Sequence, residues 1–409
     1  MTREASKPAT LWSRMFITLC IINLLQVIGQ MMMVTIMPLY ARDMGASAAV
    51  IGFVVGSFAV ASLVTRPFAT PAFDSFSKKK IFFFAIGMKA VCSFLYGFCT
   101  NVTMLILVRM LHGVAMGCSG PLALAIVSDV IPQERMGSGI SIFSLAQALA
   151  QAVGPALGLW LVSAVGYQMT FRISGISIVF ACILILTLDV KEPDVRPPYR
   201  LVLGRIFARG AIPPAVLTGI FSACNASVMS FIAIYASFYA IDQIGLYFTV
   251  HAICLLVTRP LFGRLADKLG FAKVMIPSII AYACGFLLIS QSHELWMFLV
   301  AAVIMACGYG VCSPLFQAIA MQSVPRSRRG AASSTNYTGL DAAQLAGPAA
   351  AGFVIEHFGA AGMPEVNAYS SMYLVVAGVV LAGLVVYIVL YRIIKRNMAA
   401  AKAENERAA

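Results

Sequence analysis

Charge is scarce in this sequence. Asp, Glu, Lys and Arg make up 11% of its 409 residues, whereas soluble domains carry about 25% charged residues. Only 16 of these side chains are acidic, and 60% of the chain is hydrophobic. A chain of this composition has too few polar side chains to cover a water-exposed surface, so the composition excludes a soluble globular protein.

The motifs of metal and nucleotide chemistry are also missing. We find no His-Glu-x-x-His sequence, no glycine-rich phosphate loop and no cluster of histidine and aspartate that could hold a catalytic metal. The ten cysteines fall in apolar segments without the spacing of metal ligands. We therefore predict no enzymatic activity, no catalytic residues, no metal site and no cofactor, and we interpret the cysteines as buried thiols.

Long apolar runs are what the sequence does contain. A helix needs about 20 apolar residues to cross a bilayer, and twelve segments approach or exceed that length. These segments cover residues 14–41, 48–69, 80–99, 103–130, 137–165, 171–189, 212–240, 243–263, 273–290, 295–323, 330–357 and 369–394. The alternating ten-residue strands of a membrane barrel are absent. The sequence predicts an all-α polytopic membrane protein with 12 transmembrane helices.

The net charge of +13 has a topological explanation. If the N-terminus is cytoplasmic, nearly all lysines and arginines outside the segments fall in cytoplasmic connections, while the opposite loops hold little besides Arg42. The basic positions lie at 78–80, 135, 196–209, 264–273, 326–329 and 392–396. Basic residues accumulate on the cytoplasmic side of membrane proteins. We predict a multi-pass protein of the plasma or inner membrane with both termini cytoplasmic, and no nucleic-acid partner.

The chain repeats itself at a constant offset. "TRPFATPAFDSFSKKK" begins at Thr65, and the similar "TRPLFGRLADKLGFAK" begins at Thr258, 193 positions later. The dipeptide Gly154-Pro155 returns as Gly347-Pro348 at the same offset. An offset shared by helices 2, 4 and 5 indicates a duplicated unit of six helices, arranged as parallel repeats. We predict two pseudo-symmetric six-helix bundles, at 1–189 and 212–409, joined by a cytoplasmic linker at 190–211.

Three stretches of the sequence resemble signatures of the major facilitator superfamily. "GRLADKLGFAK" from Gly263 is similar to the loop signature between helices 8 and 9 of that family, and the stretch at Thr65 is a degenerate counterpart. "RMLHGVAMG" resembles the helix 4 signature, whose arginine, here Arg109, is implicated in proton coupling. "AQALAQAVGPALG" resembles the helix 5 signature of drug:proton antiporters. The resemblance implies a monomeric secondary transporter driven by the proton gradient, with a small-molecule substrate and outward transport.

Charged residues beside the helix ends are candidates for a conformational latch. Asp74 and Asp267 follow helices 2 and 8, where a carboxylate can favour the positive end of a neighbouring helix. The family pattern implies that Lys78 pairs with Asp129. Lys268 lies in the second copy of the repeated stretch, which begins at Thr258. A latch of this kind would hold the cytoplasmic side closed and break as the two halves move apart. The alternative is that these charges only set the topology.

Ionisable groups inside the membrane are costly and indicate function. Arg109 and His112 lie one turn apart in segment 4, and their repeat partners are Ala302 and Met305, so the duplicated fold does not require charges there. Arg109 either takes part in the transport site or clamps backbone carbonyls. His112 either carries a coupling proton or packs as a neutral ring. Asp341 is an acid well inside segment 11. It takes up a proton, contacts substrate, or pairs with a base such as Lys89.

Uncharged polar residues extend the candidate pathway along helical faces. Their positions within apolar segments require a cavity or a polar neighbour. The set consists of Asn23, Gln26 and Gln30 in segment 1, Gln147 and Gln151 in segment 5, Asn225 in segment 7, and Tyr337 and Gln344 beside Asp341. Lys89 in segment 3 is either paired or extends toward the membrane surface. Gly154-Pro155 and Gly347-Pro348 bend their helices, because proline removes a hydrogen bond, or allow close packing.

These observations lead to one functional hypothesis and two alternatives. The hypothesis is a proton-coupled transporter that exports a small polar, zwitterionic or amphipathic molecule by alternating access, with Asp341 or His112 as the protonated group and Arg109 as its electrostatic partner. One alternative is proton-coupled uptake on the same scaffold. The other is a transporter-like sensor that moves nothing.

Overall fold

A computed structural model describes residues 12–131, 136–190, 198–199, 207–325 and 328–408. Within these ranges some side chains lie outside the description. They belong to residues 70, 74, 128, 136–141, 144, 145, 147, 148, 267, 329, 330, 407 and 408. All regular secondary structure in the described part of the chain is helical.

The described residues form twelve long helices. Ten of them are α1 (Arg14–Asp43), α2 (Ala48–Ser75), α3 (Lys78–Tyr96), α4 (Val102–Val130), α7 (Ile212–Ser237), α8 (Gly245–Leu269), α9 (Phe271–Ser290), α10 (Leu295–Gln322), α11 (Arg329–Ala360) and α12 (Glu365–Ala408). The run Met136–Leu186 is divided at Gly166, whose φ of 76° interrupts the helix, and we number its two parts α5 and α6. Two short 3₁₀ turns, Arg209–Ala211 and Asp242–Ile244, precede α7 and α8.

The composition of these helices matches a membrane setting. Nine of the described helices are long and apolar enough to span a bilayer, with the α5–α6 run counted as one. The other two, α3 and α11, fall short because α3 begins with three lysines and α11 is rich in small and polar residues. The predicted all-α polytopic fold is therefore confirmed. All ten cysteines are free thiols, but the expectation that they are buried holds only in part, because five are buried, four are half-buried and Cys284 is exposed on the apolar helix α9.

Local sequence determines where helices begin. Asn101 precedes α4, and its side chain accepts a hydrogen bond from the amide of Met104 at 2.9 Å. Ser77 precedes α3 and accepts in the same way from the amide of Lys80. At the equivalent place in the second repeat stands Gly270, which joins α8 to α9 with a φ of 87°. The two copies therefore make this turn differently, one with a capping hydroxyl and one with a left-handed glycine.

Helices α1 and α7 make equivalent contacts in the two halves. A Cβ atom added at Gly154 of α5 would lie 2.5 Å from Met31 of α1, and one added at Gly347 of α11 would lie 2.2 Å from the carbonyl oxygen of Ala223 of α7. Thr35 also donates to the carbonyl of Pro155, and Ser227 donates to that of Gly347. The Gly-Pro dipeptides thus occupy sites of close helix packing, and their bending role stays a prediction.

The first six and last six helices meet mainly through three helix pairs, α2 with α11, α5 with α8 and α1 with α7, and α2 also touches α7. We call the end that carries Lys78–Lys80 the basic end, and the other the opposite end. Backbone contact is closest toward the opposite end, where a Cβ at Gly52 would lie 2.1 Å from the carbonyl oxygen of Pro348. The bundle boundaries stay a prediction, because most of the linker lies outside the described residues.

Side chains close the opposite end of the interface. Glu356 of α11 accepts a hydrogen bond at 3.1 Å from the backbone amide of Ala49, in the first turn of α2. Arg42 at the end of α1 donates to Ser237 at the end of α7, at 2.9 Å. Both contacts join the first six helices to the last six, so they hold the two halves together at this end.

Candidate functional site

An ion pair joins α2 to α11 across the interface. Nε of Arg66 lies 2.6 Å from Oδ2 of Asp341, and Nη2 of Arg66 donates a hydrogen bond to Oδ1 of Asp341 at 3.1 Å. The guanidinium also lies over the ring of Tyr337, 5.1 Å from its centre, and Nε contacts Ser62 at 3.4 Å. Asp341 is 4% exposed. The pair is therefore a mostly desolvated link between the two halves.

Arg66 is the partner that the sequence did not indicate. Lys89, the base that the sequence suggests for Asp341, is not its partner, because the structure pairs the acid with Arg66. Tyr337 and Asp341 both contact this arginine, as their shared helical face suggested. Gln344, one turn further along α11, is half-buried beside Gly56 of α2, where the two backbones approach closely. The predicted face of α11 thus lies against α2.

Arg109 of α4 is directed at the backbone of α2. Its Nε donates to the carbonyl of Val54 at 3.2 Å, its Nη2 donates to the carbonyl of Val55, and the guanidinium lies 4.8 Å from the ring centre of Phe58. The clamping role that the sequence left open is the geometry that we observe. Gly113 follows on the same face, and a Cβ there would lie 2.0 Å from the carbonyl oxygen of Phe58.

His112 faces a different neighbour from Arg109. Its Nδ1 lies 3.1 Å from the hydroxyl of Tyr96 on α3, and the two rings are stacked. The imidazole is 1% exposed, and its Nε2 has no hydrogen-bond partner among the described residues. One ring nitrogen is therefore fixed by tyrosine, and the other is available to a further group.

Lys89 pairs with the polar stripe of α1. Its Nζ donates to Oε1 of Gln26 at 3.1 Å and lies 3.4 Å from Oε1 of Gln30. Asn23 accepts from Gln26 and donates to the carbonyl of Phe143 on α5. The stripe thus faces other helices, and the two possibilities considered for Lys89 resolve in favour of pairing.

The remaining polar candidates are dispersed. Gln151 is half-buried on α5, and Asn225 of α7 has a buried side-chain oxygen without a partner among the described residues. The side chain of Gln147 lies outside the described part of the chain. Two clusters therefore stand out, the Arg66–Asp341–Tyr337 group between the halves and the Lys89–Gln26–Gln30 group within the first six helices.

Comparison with known proteins identifies the family. The sequence model described as Major Facilitator Superfamily matches residues 19–242 and 215–409. The chain belongs to the Major Facilitator Superfamily. This member is therefore a multi-pass membrane transporter and not an enzyme.

Two similar proteins are named as a transporter and as a drug resistance protein. The uncharacterized MFS-type transporter MJ1560 of Methanocaldococcus jannaschii is 26% identical over 362 residues, which cover 84% of this chain and 91% of the relative. The quinolone resistance protein NorA of Staphylococcus aureus (strain COL) is 22% identical over 377 residues, covering 88% and 92%.

Solved structures share the fold of this superfamily member. The nucleoside transporter NupG superposes with a TM-score of 0.73 at 14% identity and covers 92% of this chain and 99% of its own. A bacterial homologue of the lysosomal transporter Spinster, in an inward-facing conformation, gives a TM-score of 0.71 at 15% identity and covers 96% and 98%. At these identities the likeness shows the fold alone.

The transporter's predicted latch is described in part. Nζ of Lys78 lies 2.7 Å from Oδ2 of Asp129, so the expected pair between α3 and α4 is present at the basic end. Lys268 is exposed. Asp74 and Asp267 lie in the last turns of α2 and α8 rather than beyond the helix ends as predicted, and their side chains lie outside the described residues. Because Lys78 and Asp129 are both in the first six helices, their contact does not itself bridge the halves.

A cavity of about 500 Å³ lies between α3 and α4 of the transporter, apart from both clusters. Its lining is mostly apolar, with Lys80 and Ser77 at the basic end and Phe84 and Met88 deeper along α3. None of the residues predicted for the transport site lines it. Within the described residues, no group of three or more histidine, cysteine or acidic side chains could hold a metal ion.

Proposed function

We propose that this transporter exports a small polar, zwitterionic or amphipathic molecule in exchange for protons, by alternating access. It would reside in the plasma membrane with both termini cytoplasmic, so that the basic end faces the cytoplasm. Asp341 is the proton-carrying group in this proposal, and Arg66 is its counter-ion.

The observation that carries the proposal is the ion pair between Arg66 and Asp341. It is the charged contact described between α2 and α11, and it lies within the helices, away from their ends. A proton on Asp341 removes the negative charge and weakens the attraction to the guanidinium. Because the two residues belong to different halves, protonation there changes the free energy of contact between the halves.

Two observations support the outward direction. The helix 5 sequence that contains Gln151 resembles the signature of drug:proton antiporters. A relative of similar length is named a quinolone resistance protein, and a transporter confers resistance when it moves the compound out of the cell. A polar or zwitterionic substrate fits the buried Lys89 and His112 of the first six helices.

Vesicle flux tests the proposal. Proteoliposomes or inside-out membrane vesicles that carry an imposed proton gradient would be supplied with a quinolone and with polar metabolites that a deletion strain retains. We expect substrate-dependent proton movement with the wild type and its loss with Asp341→Asn. Glu404→Gln is the matched control, because Glu404 is an exposed acid on α12.

The same assay separates the alternatives. Accumulation of the same solute in right-side-out vesicles under an inward proton gradient would assign uptake. Absence of flux for every solute, together with a cellular phenotype that survives Arg109→Ala, would assign a sensor. Proton-coupled flux that is unchanged in Asp341→Asn would remove Asp341 from the proposed mechanism.

A further inference from the structure

Among the side chains that the structure describes, the interior of the first six helices holds positive charge without a buried acid beside it. Lys89 and Arg109 are 3% and 6% exposed. The acids whose side chains are described in this half are Asp43, Asp129 and Asp189, which lie at or beyond helix ends. A buried cation is costly unless a negative charge or a full set of hydrogen bonds compensates it.

The positive charge of Arg109 is compensated by its neighbours, whereas that of Lys89 is compensated only in part. The guanidinium of Arg109 is held by two backbone carbonyls and an aromatic ring. The ammonium of Lys89 has three hydrogen atoms to donate, and its described acceptors are the neutral amide oxygens of Gln26 and Gln30. One donor and the whole positive charge therefore remain for another group.

A second unpartnered polar atom lies in the same interior. Nε2 of His112 has no partner among the described residues, while Nδ1 is engaged by Tyr96. Gln30 is half-buried, whereas Gln26 is nearly inaccessible, so the side of the cluster at Gln30 is the more open one.

We propose that Lys89, together with Gln30, forms the subsite for a carboxylate of the transported molecule. The carboxylate accepts hydrogen bonds from the ammonium of Lys89, and it displaces the amide oxygen of Gln30 from Lys89. The substrate class is then a small organic anion or a zwitterion with a free carboxylate. The subsite rests on the proposed function in one respect, that the bound molecule is the one transported.

Binding of a simple carboxylate to the purified full-length protein tests this subsite. Benzoate is the probe, and benzamide is its neutral analogue of the same shape. The midpoint of thermal unfolding, followed by intrinsic fluorescence at fixed pH and ionic strength, reports binding because a ligand of the folded state raises it. We expect benzoate to raise the midpoint in a saturable manner and benzamide to leave it unchanged.

Variants assign that effect to the cluster. Lys89→Gln keeps a donor for Gln26 but removes the charge, and we expect it to fold with an unchanged or higher midpoint and to bind benzoate at least about 10-fold more weakly. Lys89→Arg should retain part of the shift. Lys80→Gln removes the same charge from an exposed position on α3 and should respond like the wild type.

Two results would overturn the proposal. One is that benzoate does not raise the midpoint of the wild type more than benzamide does. The other is that Lys89→Gln responds to benzoate as the wild type does. Both measurements are made without a proton gradient, so a failure of proton-driven flux leaves their outcome intact, and a failure here leaves the flux experiment intact.

Discussion

Removal of either partner of the Arg66–Asp341 pair should weaken the contact between the two halves. In Asp341→Asn the side chain keeps its shape and an acceptor oxygen, but the guanidinium of Arg66 no longer faces the negative charge of Asp341. In Arg66→Gln the carboxylate of Asp341 is left in a site where it is 4% exposed. We expect the second change to be the more damaging, because the buried carboxylate then has no described cation beside it.

The magnitude follows from the burial of the two groups. Breaking a fully buried pair costs about 3–5 kcal/mol. The side chain of Arg66 is 23% exposed and keeps Tyr337 and Ser62 as neighbours, so we expect about 2–3 kcal/mol for Asp341→Asn. A loss of that size corresponds to a change of about 30–150-fold in the equilibrium between joined and separated halves.

A double-mutant cycle measures this coupling. Unfolding by SDS titration of the detergent-purified wild type, Arg66→Gln, Asp341→Asn and the double variant gives four free energies. We expect the double variant to be more stable than the sum of the single losses predicts, by about 2 kcal/mol, because no unpaired buried charge remains in it. Additivity of the two single losses to within about 0.5 kcal/mol would refute the reasoning.

Three further changes test the packing. Gly113→Val forces α2 away from α4 and should lower the free energy of unfolding by about 1–3 kcal/mol, which a lower thermal midpoint would show. Gly120→Val on the same helix meets open space and should leave the midpoint unchanged. Gly270→Ala should lower the free energy of unfolding by about 1–2 kcal/mol, because the backbone there has a positive φ. Gly263 has an ordinary φ and open space around it, so an equal loss of stability in Gly263→Ala would contradict this explanation. Glu356→Gln should weaken closure of the opposite end by about 0.3–1 kcal/mol. Faster labelling of a cysteine introduced at that end would show it, and unchanged labelling would exclude a closing role.

The fold was accessible from the sequence because its signals are long and repeated. Twelve apolar runs predicted twelve helices, and the gap between segments 5 and 6 anticipated the break at Gly166. The ends differ most in α12, where the structure continues to Ala408, well beyond the end of the predicted segment at residue 394. Hydrophobicity reports where a chain is in lipid, and it carries no information on how far a helix extends into water.

The partners within the site were harder to predict. The sequence showed Asp341 as an isolated intramembrane acid, but its base could be chosen only when α2 was known to lie against α11. Arg66 belongs to the stretch from Thr65 that resembles a degenerate loop signature, and that resemblance does not indicate a counter-ion. For Lys78 and Asp129 the family pattern supplied the pairing, and the structure places them in contact.

The contact between Lys89 and the polar stripe of α1 has a consequence for biosynthesis. Gln26 precedes Lys89 by 63 residues, and at roughly 5–20 residues per second the ribosome needs about 3–13 s to make that stretch. During this interval α1 already carries Asn23, Gln26 and Gln30, while α3 and α5, which satisfy them, are still unmade. The nascent α1 therefore requires water, lipid headgroups or the insertion machinery as a temporary partner, and mutations in the stripe should affect membrane insertion as well as transport.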